Sequence, residues 1–97
     1  MGLFKLVESA RVSSRELIET LEALATNGKD LGYIEASQVI ALFGRCDPPL
    51  SRGDLERLKG YCRRASTDLE QTGKSWAAQD WGKIVDAIEA RLSQMPR

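Results

Sequence analysis

Few side chains in this sequence are suited to chemistry. The 97 residues include no histidine and only two cysteines, Cys46 and Cys62. Nucleophilic catalysis by a cysteine or serine needs a neighbouring general base, most often histidine, and that base is missing. Paired carboxylates would need a cleft, for which a small domain with a filled core has little room. We therefore expect that the protein is not an enzyme and that it carries no cofactor.

The two cysteines occupy different settings. Cys62 falls on an apolar helical seam, where a free thiol behaves as a small core residue, while Cys46 lies in a loop next to Asp47-Pro48-Pro49. Two cysteines are too few for a disulfide framework. We expect two reduced thiols, as is usual in cytosolic proteins. The sequence leaves open whether Cys46 is reactive.

Two segments, 27–38 and 68–79, can be aligned so that Gly32 and Gly73 both occupy the sixth position. This spacing resembles the calcium loop of an EF-hand, which needs glycine there for its turn. The first segment has lysine and leucine where oxygen ligands belong, and in the second Gln79 replaces the bidentate glutamate. The second segment does have oxygen donors at positions one, three and five: Asp68, Glu70 and Thr72. We interpret both as ordinary turns between helices and expect no metal site, although a cation at 68–79 stays open.

Composition bounds the class of protein. The chain has 14 basic and 14 acidic residues, which argues against a dedicated nucleic-acid binder because phosphate contacts need clustered lysine and arginine. Its length and its 42% hydrophobic content are typical of one folded domain, expected over 1–97. No stretch approaches the roughly 20 apolar residues of a membrane span, and the N-terminal segment is a poor signal peptide. We expect a soluble protein in the cytoplasm that does not enter a membrane.

The spacing of apolar residues predicts an all-α fold, a compact four-to-five-helix bundle. Ser13 with Glu16, and Ser51 with Asp54, are start signals of the capping-box kind. Glycine and proline supply the stop signals. The predicted helices are a short one at 2–11 and main helices at about 14–26, 34–44, 52–69 and 76–94.

The segment 34–43 is apolar almost all the way round, with a narrow polar strip at Ser37 and Gln38. A helix with no wet face is normally buried. We therefore predict a short buried helix at the centre of the bundle. The alternative, a β-strand at 38–43, has no second strand-like run to pair with.

Two longer helices carry the clearest apolar seams. The first seam repeats at alternating spacings of three and four residues through Leu55, Leu58, Cys62, Ala65 and Leu69. The seam of the last helix, which Ser75 is predicted to cap, consists of Ala77, Trp81, Ile84, Val85, Ile88 and Leu92. We expect both seams to be buried.

The helix at 52–69 also has a basic side, formed by Arg52, Arg57, Lys59, Arg63 and Arg64. A solvated face, a surface for an acidic protein and a nucleic-acid contact are all open interpretations. The outer face of the helix at 14–26 is acidic, with Glu16, Glu19 and Glu22. If acidic and basic faces met between two subunits, the result would be an isologous homodimer.

The surface that we favour as a partner site is the back of the last helix. Trp76, Lys83, Ala87 and Ala90 project away from the Trp81 seam. Tryptophan is enriched at the energetic centres of protein interfaces. The alternative is that Trp76 covers the turn at Gly73 or packs on the N-terminal segment.

The predicted function follows partly by elimination. We expect a small protein-binding domain that acts as an inhibitor, immunity factor or adaptor through its helical surface. The expected partner residues are Trp76, Lys83, Ala87, Ala90, Arg57 and Arg64. The alternative is a nucleic-acid-binding regulator that uses the basic side of the helix at 52–69, and a homodimer stays open.

Overall fold

The structure is a computed structural model that describes residues 3–27, 31 and 34–96. Within these ranges the chain forms no β-strand, and the all-α fold is confirmed. None of the helices in this part of the chain combines the length and apolarity needed to cross a membrane. The five helices are α1 (Leu3–Val7), α2 (Ser14–Thr26), α3 (Ala36–Phe43), α4 (Arg52–Gln71) and α5 (Ser75–Gln94).

The apolar seams of α4 and α5 meet and form the most extensive helix contact of the fold. Every residue of the two predicted seams is buried, and so is Ala78, which the seam pattern left out. The Ser66 hydroxyl donates to the carbonyl of Ala78 at 2.9 Å, and Gly82 lies against the same serine. Small residues at this crossing allow the two backbones to approach closely.

The connection between α4 and α5 is a three-residue turn, 72–74. Gly73 has a φ of 82°, its N–H donates to the carbonyl of Glu70, and the N–H of Lys74 donates to the carbonyl of Leu69. These bonds form a Schellman motif, which satisfies the last carbonyls of α4. The turn places Lys74, not Ser75, at the N-cap of α5, so the predicted cap is wrong.

The helical conformation of the residues before the turn argues against a calcium loop at 68–79. Residues 68–71 belong to α4, so the first four positions of the aligned segment 68–79 are helical. A calcium loop needs these positions in an open turn around the ion. The other aligned segment, 27–38, lies partly outside the described residues.

α3 runs beside α5 and also contacts α1. Four of its eight residues are buried, namely Ala36, Val39, Leu42 and Phe43. Ile40 is only half-buried and Ala41 is exposed, so the expectation of a helix without a wet face is corrected. The reason is that α3 covers the side of α5, while the α4–α5 pair occupies the centre of the core.

α1 ends at Val7, well before the predicted end at residue 11. The segment after it pairs with the loop that follows α3. The N–H of Val12 donates to the carbonyl of Arg45 at 3.0 Å, and the N–H of Asp47 donates to the carbonyl of Val12 at 2.9 Å. The Asp47–Pro48 peptide bond in this loop is cis. These backbone bonds join the first two helices to the rest of the fold.

Truncation of a buried side chain in the α4 seam should destabilise the fold. Leu58 is fully buried, so Leu58→Ala removes apolar contacts and leaves a cavity that lowers the free energy of unfolding by about 2–5 kcal/mol. Urea denaturation followed by far-UV circular dichroism measures this loss. Thr67→Ala, an exposed change on the same helix, should shift it by less than about 0.5 kcal/mol. If Leu58→Ala lowers the free energy of unfolding no more than Thr67→Ala does, the burial of the α4 seam is contradicted.

Two glycine-to-alanine changes should alter the free energy of unfolding in opposite directions. Gly60 lies in the exposed interior of α4, and a Cβ there meets open space, so Gly60→Ala should raise the free energy of unfolding by up to about 1 kcal/mol. Gly73 has a positive φ, so Gly73→Ala should lower it by about 1 kcal/mol. The same denaturation assay compares them. Equal effects at both positions would contradict the turn geometry.

Candidate protein-contact surface

Trp76 lies on the surface at the second residue of α5, with 69% of its surface exposed. This exposure argues against the alternative in which Trp76 covers the Gly73 turn or packs on the N-terminal segment. Lys83 and Ala90 are also exposed, and Ala87 is half-buried against the core. At about 1.5 Å per residue, these four positions form a row about 21 Å long on one side of α5. We call this row, Trp76, Lys83, Ala87 and Ala90, the Trp76 face.

A groove of about 650 Å³ lies between α3 and α5, beside the Trp76 face. We call it the α3–α5 groove. The groove is lined by the half-buried side chains of Ile34 and Ile40 and by the charged side chains of Glu35, Asp80 and Lys83. Asp80 is one helical turn from Trp76, so the groove and the exposed indole are neighbours on the same surface. Such a groove accepts apolar side chains of a partner segment.

Sequence reasoning assigned Ile40 and Ile34 to the core and missed their place in this groove. The signal was present in the segment 34–43, which is apolar almost all the way round. That pattern indicates only that the apolar sides of the helix are packed against other apolar groups. It does not distinguish cover by the chain itself from cover by another molecule.

Arg57 and Arg64, the other two predicted partner residues, lie on a different surface. Arg57 lines a groove between α2 and α4 together with Glu19 and Asp54. A hydrogen bond with Tyr61 raises the pKa of Arg57. Arg64 follows two turns later on the same flank of α4 and is exposed. The structure does not bring either residue to the Trp76 face.

The remaining basic residues of α4 have partners within the chain. Arg52 donates to two main-chain carbonyls at the end of α5, at 3.3 and 3.4 Å. Lys59 lies 3.0 Å from Glu56, and Arg63 lies 3.2 Å from Glu89. A phosphate-binding face needs lysine and arginine side chains that are available to the ligand. These partners weaken the nucleic-acid interpretation of the basic side.

The acidic face of α2 also finds positive charge inside the chain. Glu19 pairs with Arg15 at 3.6 Å, and Glu22 is close enough to Arg57 to contribute to its raised pKa. α2 packs directly on α4. The charge complementarity that predicted a dimer between α2 and α4 faces is therefore met in part within one chain.

Both thiols are buried and unpaired. Burial raises the pKa of Cys62 to about 12, and burial also raises the pKa of Cys46, whose Sγ donates to the carbonyl of Leu42 at 3.4 Å. The thiolate is the nucleophile and metal ligand, so a raised pKa makes a thiol inert. Among the described residues, no three histidine, cysteine, aspartate or glutamate side chains are grouped closely enough to hold a metal ion.

Comparison with known proteins gives no relative: no protein-family model matches the chain, and no curated protein or solved structure matches it either.

The buried thiols should react slowly in the folded protein. At about pH 8 the raised pKa of Cys62, about 12 against 9.0, leaves roughly a thousandfold less thiolate than in the unfolded chain. Labelling with a chromogenic disulfide reagent, with and without urea, measures the difference. The labelling rate should rise with pH between about 9 and 12.

In Cys46→Ser and Cys62→Ser variants only one thiol remains, so each labelling rate can be assigned to a single cysteine. We expect Cys46 to react before Cys62, because it is 9% exposed and Cys62 is fully buried. A Cys46 that reacts in the folded protein as fast as in urea would contradict an inert thiol.

Proposed function

We propose that this chain is a protein-binding domain that engages its partner through the Trp76 face and the α3–α5 groove. The observation that carries the proposal is the exposure of Trp76 beside a groove with two half-buried isoleucines. A large aromatic side chain next to partly exposed apolar side chains is typical of an interface centre, where cover by a partner releases water from both surfaces.

The shape of this surface indicates how a partner would bind. Apolar side chains of the partner enter the α3–α5 groove and contact Ile34 and Ile40, while Trp76 covers one end of the contact. Glu35, Asp80 and Lys83 form a charged rim that fixes orientation more than affinity. An interface of standard size covers about 800 Å² of each partner, which is roughly an eighth of the 6030 Å² surface of the described chain.

Inhibition, immunity and adaptor roles all require this single binding step, and we propose them as one class. We do not propose catalysis, because the groove has no histidine or cysteine and its carboxylates lie beside a lysine. Nucleic-acid binding is disfavoured because Arg52, Lys59 and Arg63 have partners inside the chain. Two unpaired thiols support a cytoplasmic location, where thiols stay reduced.

Loss of the Trp76 indole should weaken partner binding. The full chain, immobilised as bait, is exposed to a lysate of its source organism with and without nuclease treatment, and bound proteins are identified by mass spectrometry. Trp76→Ala should weaken binding of the recovered partner at least about tenfold, because an aromatic interface centre contributes that much or more. Phe4→Ala is the matched control, since Phe4 is another exposed aromatic, 64% exposed, on a different helix.

The competing outcome is equally specific. If nuclease removes the recovered material and Arg57→Glu with Arg64→Glu abolishes binding while Trp76→Ala does not, the nucleic-acid alternative replaces the proposal. Salt separates the two as well, because phosphate contacts weaken steeply with ionic strength. A partner whose affinity is unchanged by Trp76→Ala contradicts the proposed surface even if it is a protein.

A further inference from the structure

Asp80 is a half-buried carboxylate among the residues that line the α3–α5 groove. Within the described chain it forms no hydrogen bond and no ion pair, although Lys83 lies only three residues further along α5. Two other half-buried carboxylates do have partners: Asp54 accepts from a main-chain N–H at 3.0 Å, and Glu22 lies near Arg57. The carboxylate of Asp80 is thus partly withdrawn from water and unpaired.

Cover of the groove by a partner would complete the burial of this carboxylate. Burial of a carboxylate that gains no cation or hydrogen-bond donor is strongly unfavourable, because its hydration is lost without compensation. The side chain that covers Asp80 must therefore supply donors, and a cation does so with opposite charge. The other charged residues of the groove, Glu35 and Lys83, add one charge of each sign. This step rests on the proposed function, since it requires that the partner covers this groove.

The exposed indole of Trp76 indicates which cation fits. Trp76 and Asp80 are four residues apart on α5, so their Cβ atoms lie about 5–6 Å apart on one side of the helix. The indole is available, because 69% of Trp76 is exposed. A planar guanidinium stacks on an indole within about 6 Å of the ring centre and donates two parallel bonds to a carboxylate. A lysine ammonium does not present this flat fork.

We propose that the α3–α5 groove takes an arginine-bearing segment of the protein partner. The guanidinium of that arginine stacks on the indole of Trp76 and pairs with the carboxylate of Asp80. An apolar side chain next to the arginine packs on Ile34 and Ile40, which line the same groove. The segment is therefore basic and apolar at neighbouring positions, which distinguishes it from the acidic protein and the nucleic acid considered for the basic side of α4.

Selection from a displayed library of random linear peptides tests this preference before the partner is identified. The full chain is immobilised, and each selected peptide is tested again on Trp76→Ala, which separates groove binders from peptides bound elsewhere. Peptides that lose binding to Trp76→Ala should share an arginine next to an apolar residue. Circular dichroism checks that every variant of the chain folds.

A synthetic peptide with the shared sequence then tests Asp80 directly. It should bind Asp80→Asn about tenfold more weakly than the unchanged chain, because a charge-assisted pair is lost. Asp86→Asn is the matched control. It changes an exposed aspartate of the same helix that does not line the groove, so it should leave binding unchanged.

A double-mutant cycle assigns the contact to one pair of side chains. Replacement of the peptide arginine by glutamine should weaken binding to the unchanged chain about tenfold. The same replacement should weaken binding to Asp80→Asn less than about threefold, since the carboxylate is already missing. Replacement of the arginine by lysine should also weaken binding, because lysine keeps the charge but loses the flat stack on Trp76.

The results that overturn this inference differ from those that overturn the proposed function. Peptides that need Trp76 but share no arginine, or that bind Asp80→Asn as tightly as the unchanged chain, overturn the inference and leave the proposed function standing. The same holds for peptides without a cation that lose binding to Lys83→Gln, because Lys83 then neutralises Asp80 itself. A selection in which no peptide depends on Trp76 overturns both.

Discussion

The fold depends on the burial of the apolar seam between α4 and α5. Leu58, Cys62 and Trp81 are completely removed from solvent there, and burial of such side chains is the main favourable term in folding. The three-residue turn at 72–74 makes the two helices antiparallel neighbours. α2 then packs on α4, and α3 packs on α5, so the shorter helices use surfaces that the long pair provides.

Arginine side chains join the ends of these elements. Arg45 donates to the carbonyl of Val7 at 3.1 Å, Arg91 to that of Phe43 at 3.5 Å, and Arg52 to carbonyls near the end of α5. The last carbonyls of a helix lack partners within the helix, and cations are favourable there. These three arginines are therefore engaged within the fold.

The sequence was sufficient to predict the buried faces of the long helices but not the surroundings of the short ones. Strong periodicity predicted the seam residues of α4 and α5 and the outward position of Trp76. The burial of Ile40 depended on what covers α3, which a local pattern does not contain. Ser75 failed as a cap because the backbone of Lys74 closes the Schellman turn and also accepts the first bonds of α5. The pairing of Arg63 with Glu89 depends on the register between two helices, and no spacing within either one encodes it.

Two large hydrophobic side chains of the described chain, Phe4 and Trp76, are exposed. Neither Phe4 nor Trp76 contributes its ring to the core, so the free energy of covering these rings is available only to association. At Trp76 this free energy adds to that of covering Ile34 and Ile40, because the groove that these residues line reaches Asp80, one helical turn from the indole. A partner that covers the indole and the two isoleucines together therefore gains more than a partner that covers either alone.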